Sequence, residues 1–159
     1  MDLAIISIGQ LKNNPLLKIQ DDYKKRITNL GRGVGINNLA IKEGLVSKKS
    51  TIKERKSEEA KFLKKNILRK DYNIFLDETG DEISSLGIAK FFSEKSLDYS
   101  KIVFCIGGPD GFEKNILGQS NKIISFGKVT WPHMLIRIML LEQIYRSITI
   151  LKNHPYHRE

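Results

Sequence analysis

Lys101-Ile102-Val103-Phe104-Cys105-Ile106-Gly107-Gly108-Pro109-Asp110-Gly111 is the stretch on which the fold turns. Its first half is a short apolar run, the pattern of a strand buried on both faces. The run empties into a turn with three glycines in five positions, where positive φ and close approach to the backbone become available. Taken alone, such a turn is equally a tight structural corner or a ligand cradle. What gives it weight is its place at the end of a strand, because ligands of parallel α/β sheets bind beyond the carboxyl ends of strands.

On either side of this stretch, strands and helices alternate. Leu3 to Ile8 reads as a strand, and Asn13-Asn14-Pro15 supplies an N-cap and a first-turn proline for a helix running to about Ile27. A short strand from Asn38 to Ile41 and a long charged helix from Ile52 to Leu68 follow. Between them Gly31-Arg32-Gly33-Val34-Gly35 lacks dinucleotide-binding spacing and follows a helix, so it reads as a loop. Tyr72 to Leu76 is a strand ending in Asp77-Glu78-Thr79-Gly80, and Ser84-Ser85 opens a helix to about Lys95. After the central stretch come a short helix to Leu117, the strand Lys122 to Phe126, the loop Gly127-Lys128-Val129-Thr130-Trp131-Pro132 and a last helix from His133 to Leu151. The pattern predicts one α/β domain over 1–159, a mostly parallel sheet with helices on both faces. Three loops, Leu76–Gly80, Gly107–Gly111 and Phe126–Pro132, fall at strand carboxyl ends. The last can offer backbone amides and carbonyls to the edge of a purine.

The final helix carries apolar residues around about half its circumference. That is wide for one core face, and either a partner subunit or a large single core would use it. Arg137 lies inside the apolar arc, where a cation needs a carboxylate, a phosphate or an interface partner; a structural ion pair satisfies it equally. The tail Asn153-His154-Pro155-Tyr156-His157-Arg158-Glu159 gathers an amide, two imidazoles, a phenol and a guanidinium. Those groups bind phosphate, stack on bases or move protons near neutral pH.

Charge narrows the partner. The net charge is +9, and residues 1–70 carry 17 Lys and Arg against 7 Asp and Glu, whereas residues 71–159 carry 10 against 11. An excess confined to one half fits a polyanion such as RNA, although lysine-rich helices also serve solubility alone. One cysteine, inside an apolar run, gives no disulfide framework, and the histidines show no zinc spacing, so no metal is expected. The opening apolar run is too short for a secretory signal and the last helix is interrupted by charges, so no membrane span is expected and the cytoplasm is the expected location.

Several of these segments together resemble one family. Phe75-Leu76-Asp77 with Gly80, Ile106-Gly107-Gly108-Pro109 with Gly111, Pro132-His133 with Arg137, Glu142-Gln143-Ile144-Tyr145-Arg146 and the terminal Asn153-to-Glu159 motif are similar to the 23S rRNA pseudouridine-1915 N3-methyltransferases known as RlmH. The resemblance spans the chain, and the terminal motif is its most specific part. It implies a minimal SPOUT fold with a C-terminal trefoil knot, an obligate homodimer, and S-adenosylmethionine as cofactor, held by Leu76, Gly107, Gly108 and the run Phe126, Gly127, Lys128, Val129, Thr130 and Trp131. It implies as substrate N3 of pseudouridine 1915 in the 23S rRNA of assembled ribosomes. Trp131 stands where the family carries a smaller apolar residue and Gly127-Lys128 where it carries a more serine-rich pair, which reshapes the adenine side of the pocket. On this reading Tyr156, His157 and Arg158 position the base and assist loss of its N3 proton, with Arg137 and His133 in support. A phosphoryl-transfer enzyme is disfavoured by the absence of a phosphate-loop motif and of paired metal-binding acids. A non-enzymatic RNA-binding module built on residues 1–70 is the alternative, and it leaves both glycine-bearing loops without a purpose.

Overall fold

The computed structural model describes residues 1–158, so Glu159 of the terminal motif lies outside the described residues. Five strands form one all-parallel sheet: β1 (Asp2–Ile8), β2 (Asn38–Gly44), β3 (Tyr72–Glu82), β4 (Lys101–Ile106) and β5 (Lys122–Ser125), in the order β2-β1-β4-β3-β5. Side chains alternate across the central strands as the pleat requires. Leu3 and Ile5 of β1, with Ile102, Phe104 and Ile106 of β4, enter one core; Ala4, Ile6 and Ile8, with Val103 and Cys105, enter the other. Both faces are therefore covered. The first core is roofed by α1 (Leu16–Gly31), α3 (Ser85–Asp98) and α5 (His133–Leu151), and the second by α2 (Ile52–Asn66) and the single turn α4 (Lys114–Leu117).

The helix starts have local causes. The side chain of Asn14 accepts from the amide of Leu16 (2.9 Å), satisfying a donor that a first turn leaves free. Thr51 and Glu54 form a capping box at α2, each side chain accepting from the other's backbone amide at 3.2 Å. Ser84 accepts from the amide of Gly87 (3.0 Å) and starts α3. Elements fall where the sequence puts them, but β2 runs on from Ile41 to Gly44, α3 from Lys95 to Asp98, and two more elements extend further. Helix α1 runs on to Gly31, into a 3-10 turn at Arg32–Val34. Strand β3 does not stop at Leu76: residues 77–80 bulge out and the strand rejoins β5 at Asp81 and Glu82. Gly80 allows this, since a Cβ there would stand 2.7 Å from the backbone of Ile123 and Ile124.

Helix α5 settles what its broad apolar arc is for. It lies between α1 and α3 over β4, and Ile138, Leu140, Leu141, Ile144, Tyr145 and Ile148 are all buried within the chain. One large core uses the arc. Arg137 is fully buried there: its Nη2 donates to the carbonyl of Gly9 (2.6 Å), and its Nη1 donates to Gln20 (3.3 Å) and forms an ion pair with Glu43. The same Glu43 oxygen accepts from the amide of Leu11 (3.1 Å). One guanidinium thus ties α5 to the end of β1, to β2 and to α1. No helix among the described residues is long and apolar enough to cross a membrane.

Removing one member of a buried ion pair strands the other. Arg137→Met is expected to lower the unfolding free energy by about 3 kcal/mol in urea denaturation, whereas a loss within about 0.5 kcal/mol, the ordinary surface range, would show that the pair does not hold α5 in place.

Candidate functional site

A cavity of about 750 Å³ opens beyond the carboxyl ends of β3, β4 and β5. All three strand-end loops marked in the sequence reach it. Leu76, Gly107, Gly108, Phe126, Gly127, Val129, Thr130 and Trp131 line its wall, and His133 and Ile136 close the end beneath α5. Lys128 is on the same loop but exposed, and its side chain is not part of the wall.

Each loop is shaped by backbone requirements. In Gly108-Pro109-Asp110-Gly111 the amide of Gly111 donates to the carbonyl of Gly108 (2.9 Å) and Gly111 has φ +77°, so the segment is a tight turn and a cavity wall at once. Gly127 has φ +102°, and its carbonyl accepts from the Ser125 hydroxyl (2.8 Å). The indole of Trp131 donates to the carbonyl of Phe126 (3.2 Å), which closes the loop on itself and leaves Trp131 39% exposed at the rim. Lys56, Lys114, Asp77, Glu78 and Asp110 add charges of both signs to the lining.

His133 sits at the junction of the cavity and the core. Its ring lies against Gly9, where a Cβ would stand 2.6 Å from Nε2, and that nitrogen is buried without a hydrogen-bond partner. Burial first, and the nearby Arg137 cation second, hold the imidazole below its ordinary pKa of 6.5. It is therefore a neutral imidazole with a free polar atom in the half-buried end of the cavity. Arg137, one turn further along α5, points away into its network and has no exposed surface to offer a ligand.

The tail residues lie elsewhere. The Tyr156 hydroxyl donates to Glu142 (3.1 Å), its ring packs edge-on against Tyr145 at 4.9 Å, and the Arg146 guanidinium lies 5.0 Å over it. Burial is the main cause that raises its phenol pKa. His157 Nδ1 is 3.4 Å from Arg146, which is itself paired with Glu142 (Nε to Oε1, 2.9 Å). The two sequence motifs, Glu142-to-Arg146 and the terminal one, are thus a single unit in which the polar face of α5 holds the tail. None of Tyr156, His157 or Arg158 lines the cavity of its own chain. A smaller space of about 460 Å³ lies beside Glu142 and Gln143, and shares Ser125, Phe126 and Gly127 with the larger one.

The support behind Gly107–Gly111 is barely marked in the sequence. Arg55 of α2 grips Asp110 (Nε to Oδ2, 2.6 Å), and the buried carboxyl of Glu59 lies directly under Gly108. Both residues sit on a helix whose composition reads as a solvated face. The spacing of four between them, with Ala60 and Leu63 adjoining, is the only available hint that they look inward.

Proteins similar to this chain are named ribosomal RNA large subunit methyltransferase H. It is 38% identical over 159 residues to the protein of Rhodopseudomonas palustris strain BisB18, 36% to that of strain BisA53, and 33% to that of Agrobacterium fabrum strain C58, in each case over 99% of both chains. A family profile described as "Predicted SPOUT methyltransferase" matches residues 1–157.

A base whose folded pKa is depressed stabilises the fold above its unfolded pKa and loses that contribution as pH falls through the folded value. His133→Gln cannot take up that proton. Between about pH 7.5 and about pH 5.5, the wild type is therefore expected to lose more stability in urea denaturation than His133→Gln; parallel losses would place the imidazole in water.

Proposed function

The chain belongs to the SPOUT methyltransferase family, and from that premise we propose that it is a cytoplasmic, S-adenosylmethionine-dependent enzyme methylating N3 of pseudouridine 1915 in the 23S rRNA of assembled ribosomes. The observation that carries this reading is the cavity of about 750 Å³ at the ends of β3, β4 and β5, a volume suited to a nucleoside-sized ligand. The walls fit such a group. Leu76 and Phe126 offer apolar surface, and the backbone at Gly107 and Gly108 and from Gly127 to Trp131 carries amides and carbonyls for the edge of a purine. Bound there, S-adenosylmethionine supplies a methyl group on a sulfonium, ready for in-line transfer.

The protein's part is alignment and proton removal. Pseudouridine N3 carries a proton that must leave as the new N–C bond forms. The residues proposed to manage it, Tyr156, His157 and Arg158, are docked on the polar face of their own α5, outside the cavity. We infer that the tail of one subunit serves the cavity of its partner, which makes the homodimer the complete enzyme, with one such domain per subunit. Exposed Val129, Trp131 and Leu135 beside the cavity give the partner an apolar surface to cover. In that setting Arg158 binds phosphate or base, His157 takes up the proton, and His133 and Arg137 hold the far wall. The resemblance also carries a trefoil knot. It would lie where the chain, having reached the sheet edge at β5, returns to the centre as α5 between α1 and α3.

Labelled S-adenosylmethionine incubated with ribosomes lacking the modification is expected to label pseudouridine N3, and free rRNA to stay unlabelled. His157→Ala together with Arg158→Ala should slow turnover by about 100-fold. Mixing that variant in equal amounts with a chain whose cavity is filled by Leu76→Trp should restore about a quarter of wild-type activity, since one shared site per mixed dimer is intact. No label and no calorimetric binding of S-adenosylmethionine would instead favour a non-enzymatic RNA-binding module.

A further inference from the structure

The Gly107–Gly111 turn is closed on itself by the Gly111 amide donating to the Gly108 carbonyl (2.9 Å) and by the antiparallel bridge that pairs these two glycines. Its position on the sheet is held from behind. Arg55 approaches Asp110 with two donors, Nε to Oδ2 at 2.6 Å and Nη2 to Oδ1 at 3.2 Å, while Nη1 donates to the carbonyls of Lys49 (3.2 Å) and Ser50 (3.3 Å). A planar fork engaged at both ends has little freedom left to lose, unlike an ordinary surface ion pair. The pair is mostly shielded, with side chains 25% and 21% exposed, and each partner shifts the other's pKa toward its charged form.

One helical turn later, Glu59 is 4% exposed. Its Oε1 accepts from the amide of Ser47 (3.0 Å), and its Oε2 is buried with no partner. A Cβ on Gly108 would lie 2.6 Å from that oxygen. The carboxyl therefore occupies the space that the glycine leaves open, and burial raises its pKa, as do the neighbouring Asp110 and Glu58 carboxylates, against the opposing Ser47 amide hydrogen bond and the Arg55 charge. Arg55 and Glu59 are absent from the cavity wall, whereas Gly108 and Asp110 belong to it. Because α2 is anchored by its capping box and packs Ala60 and Leu63 on the sheet, both groups work from a fixed base.

We propose that Arg55 and Glu59 are positioning residues for the cofactor: they set the Gly107–Gly111 turn from beneath, Arg55 through Asp110 and Glu59 through Gly108, without touching the cofactor themselves. This rests on the S-adenosylmethionine reading of the cavity. It places the determinant of cofactor affinity partly on α2, in the half of the chain whose charge excess fits RNA binding or solubility.

The experiment is calorimetric titration of the full chain with S-adenosylmethionine, alongside steady-state kinetics on ribosomes. Arg55→Met keeps the aliphatic stem and is expected to raise Kd about tenfold, with KM raised alike and kcat at saturating cofactor unchanged. The Arg55→Met, Asp110→Ala double variant should bind no more weakly than the weaker single variant, because both remove the same link. Glu59→Gln keeps shape and should bind within about twofold of wild type, whereas Glu59→Ala opens a void under Gly108 and should weaken binding about tenfold. Wild-type Kd in both Arg55→Met and Glu59→Ala would overturn this inference alone. Failure of the wild-type chain to bind would overturn the methyltransferase reading, and this inference with it.

Discussion

A guanidinium with no surface in water is the constraint around which this molecule is arranged. Desolvating Arg137 costs several kcal/mol, and burial pushes its pKa down against the pull of Glu43. It stays in place because the carbonyl of Gly9, the carboxylate of Glu43 and the amide of Gln20 meet it from three directions. Those partners come from the β1–α1 connection, β2 and α1, so the start of α5 can dock in one way only. That docking fixes His133 one turn earlier against Gly9, and with it the point where the Phe126–Pro132 loop must end. A residue whose sequence context allowed catalysis or structure does structural work, and through His133 it sets the far wall of the cavity.

The cavity itself follows from the sheet. Strands β3, β4 and β5 are neighbours, run parallel and end at the same level, so the three chain segments leaving them must share one space. Two of those segments need positive φ at Gly111 and Gly127, and the third escapes through the bulge at residues 77–80. The void is therefore the gap left when three strand ends turn away from each other. Its floor is supplied by α2 on one side of the sheet and by α5 on the other.

What the sequence made legible is what has a period or a cap. The strands through Ile102–Ile106 and Leu3–Ile8 are continuous apolar runs, and the starts of α2 and α3 have Thr51 and Ser84 at their caps. The loops of the cavity were legible because glycines cluster at strand ends, and the family resemblance brought the terminal motif. The bulge in β3 was not, since Asp77-Glu78-Thr79-Gly80 has the composition of an ordinary turn and only pairing with β5 shows the strand resuming. Nor were the inward-facing Arg55 and Glu59, because in a lysine- and glutamate-rich helix the short apolar stripe of Ala60 and Leu63 does little to tell buried polar residues from wet ones. The attachment of the tail to Glu142 and Arg146 joins residues of α5 and the tail through side-chain chemistry alone, which no periodicity reports.

The two halves of the proposed site do not meet within one chain, and this bears on what the molecule can be. An RNA-binding module has no need of a nucleoside-sized cavity walled by glycine backbone, and it has no use for a neutral, half-buried imidazole at the end of that cavity. An enzyme completed by one chain would bring its proton-handling groups to the cavity. Here the residues proposed to handle the proton are collected on the opposite end of α5 by Glu142, Tyr145 and Arg146, held by hydrogen bonds and ring contacts rather than left loose. On the proposed reading, a tail that is preorganised yet turned away from its own cavity is placed for the cavity of a second copy. The proposed symmetric pairing would supply that second cavity without new sequence, since the surface that offers the tail and the surface that would receive it are carried by the same chain.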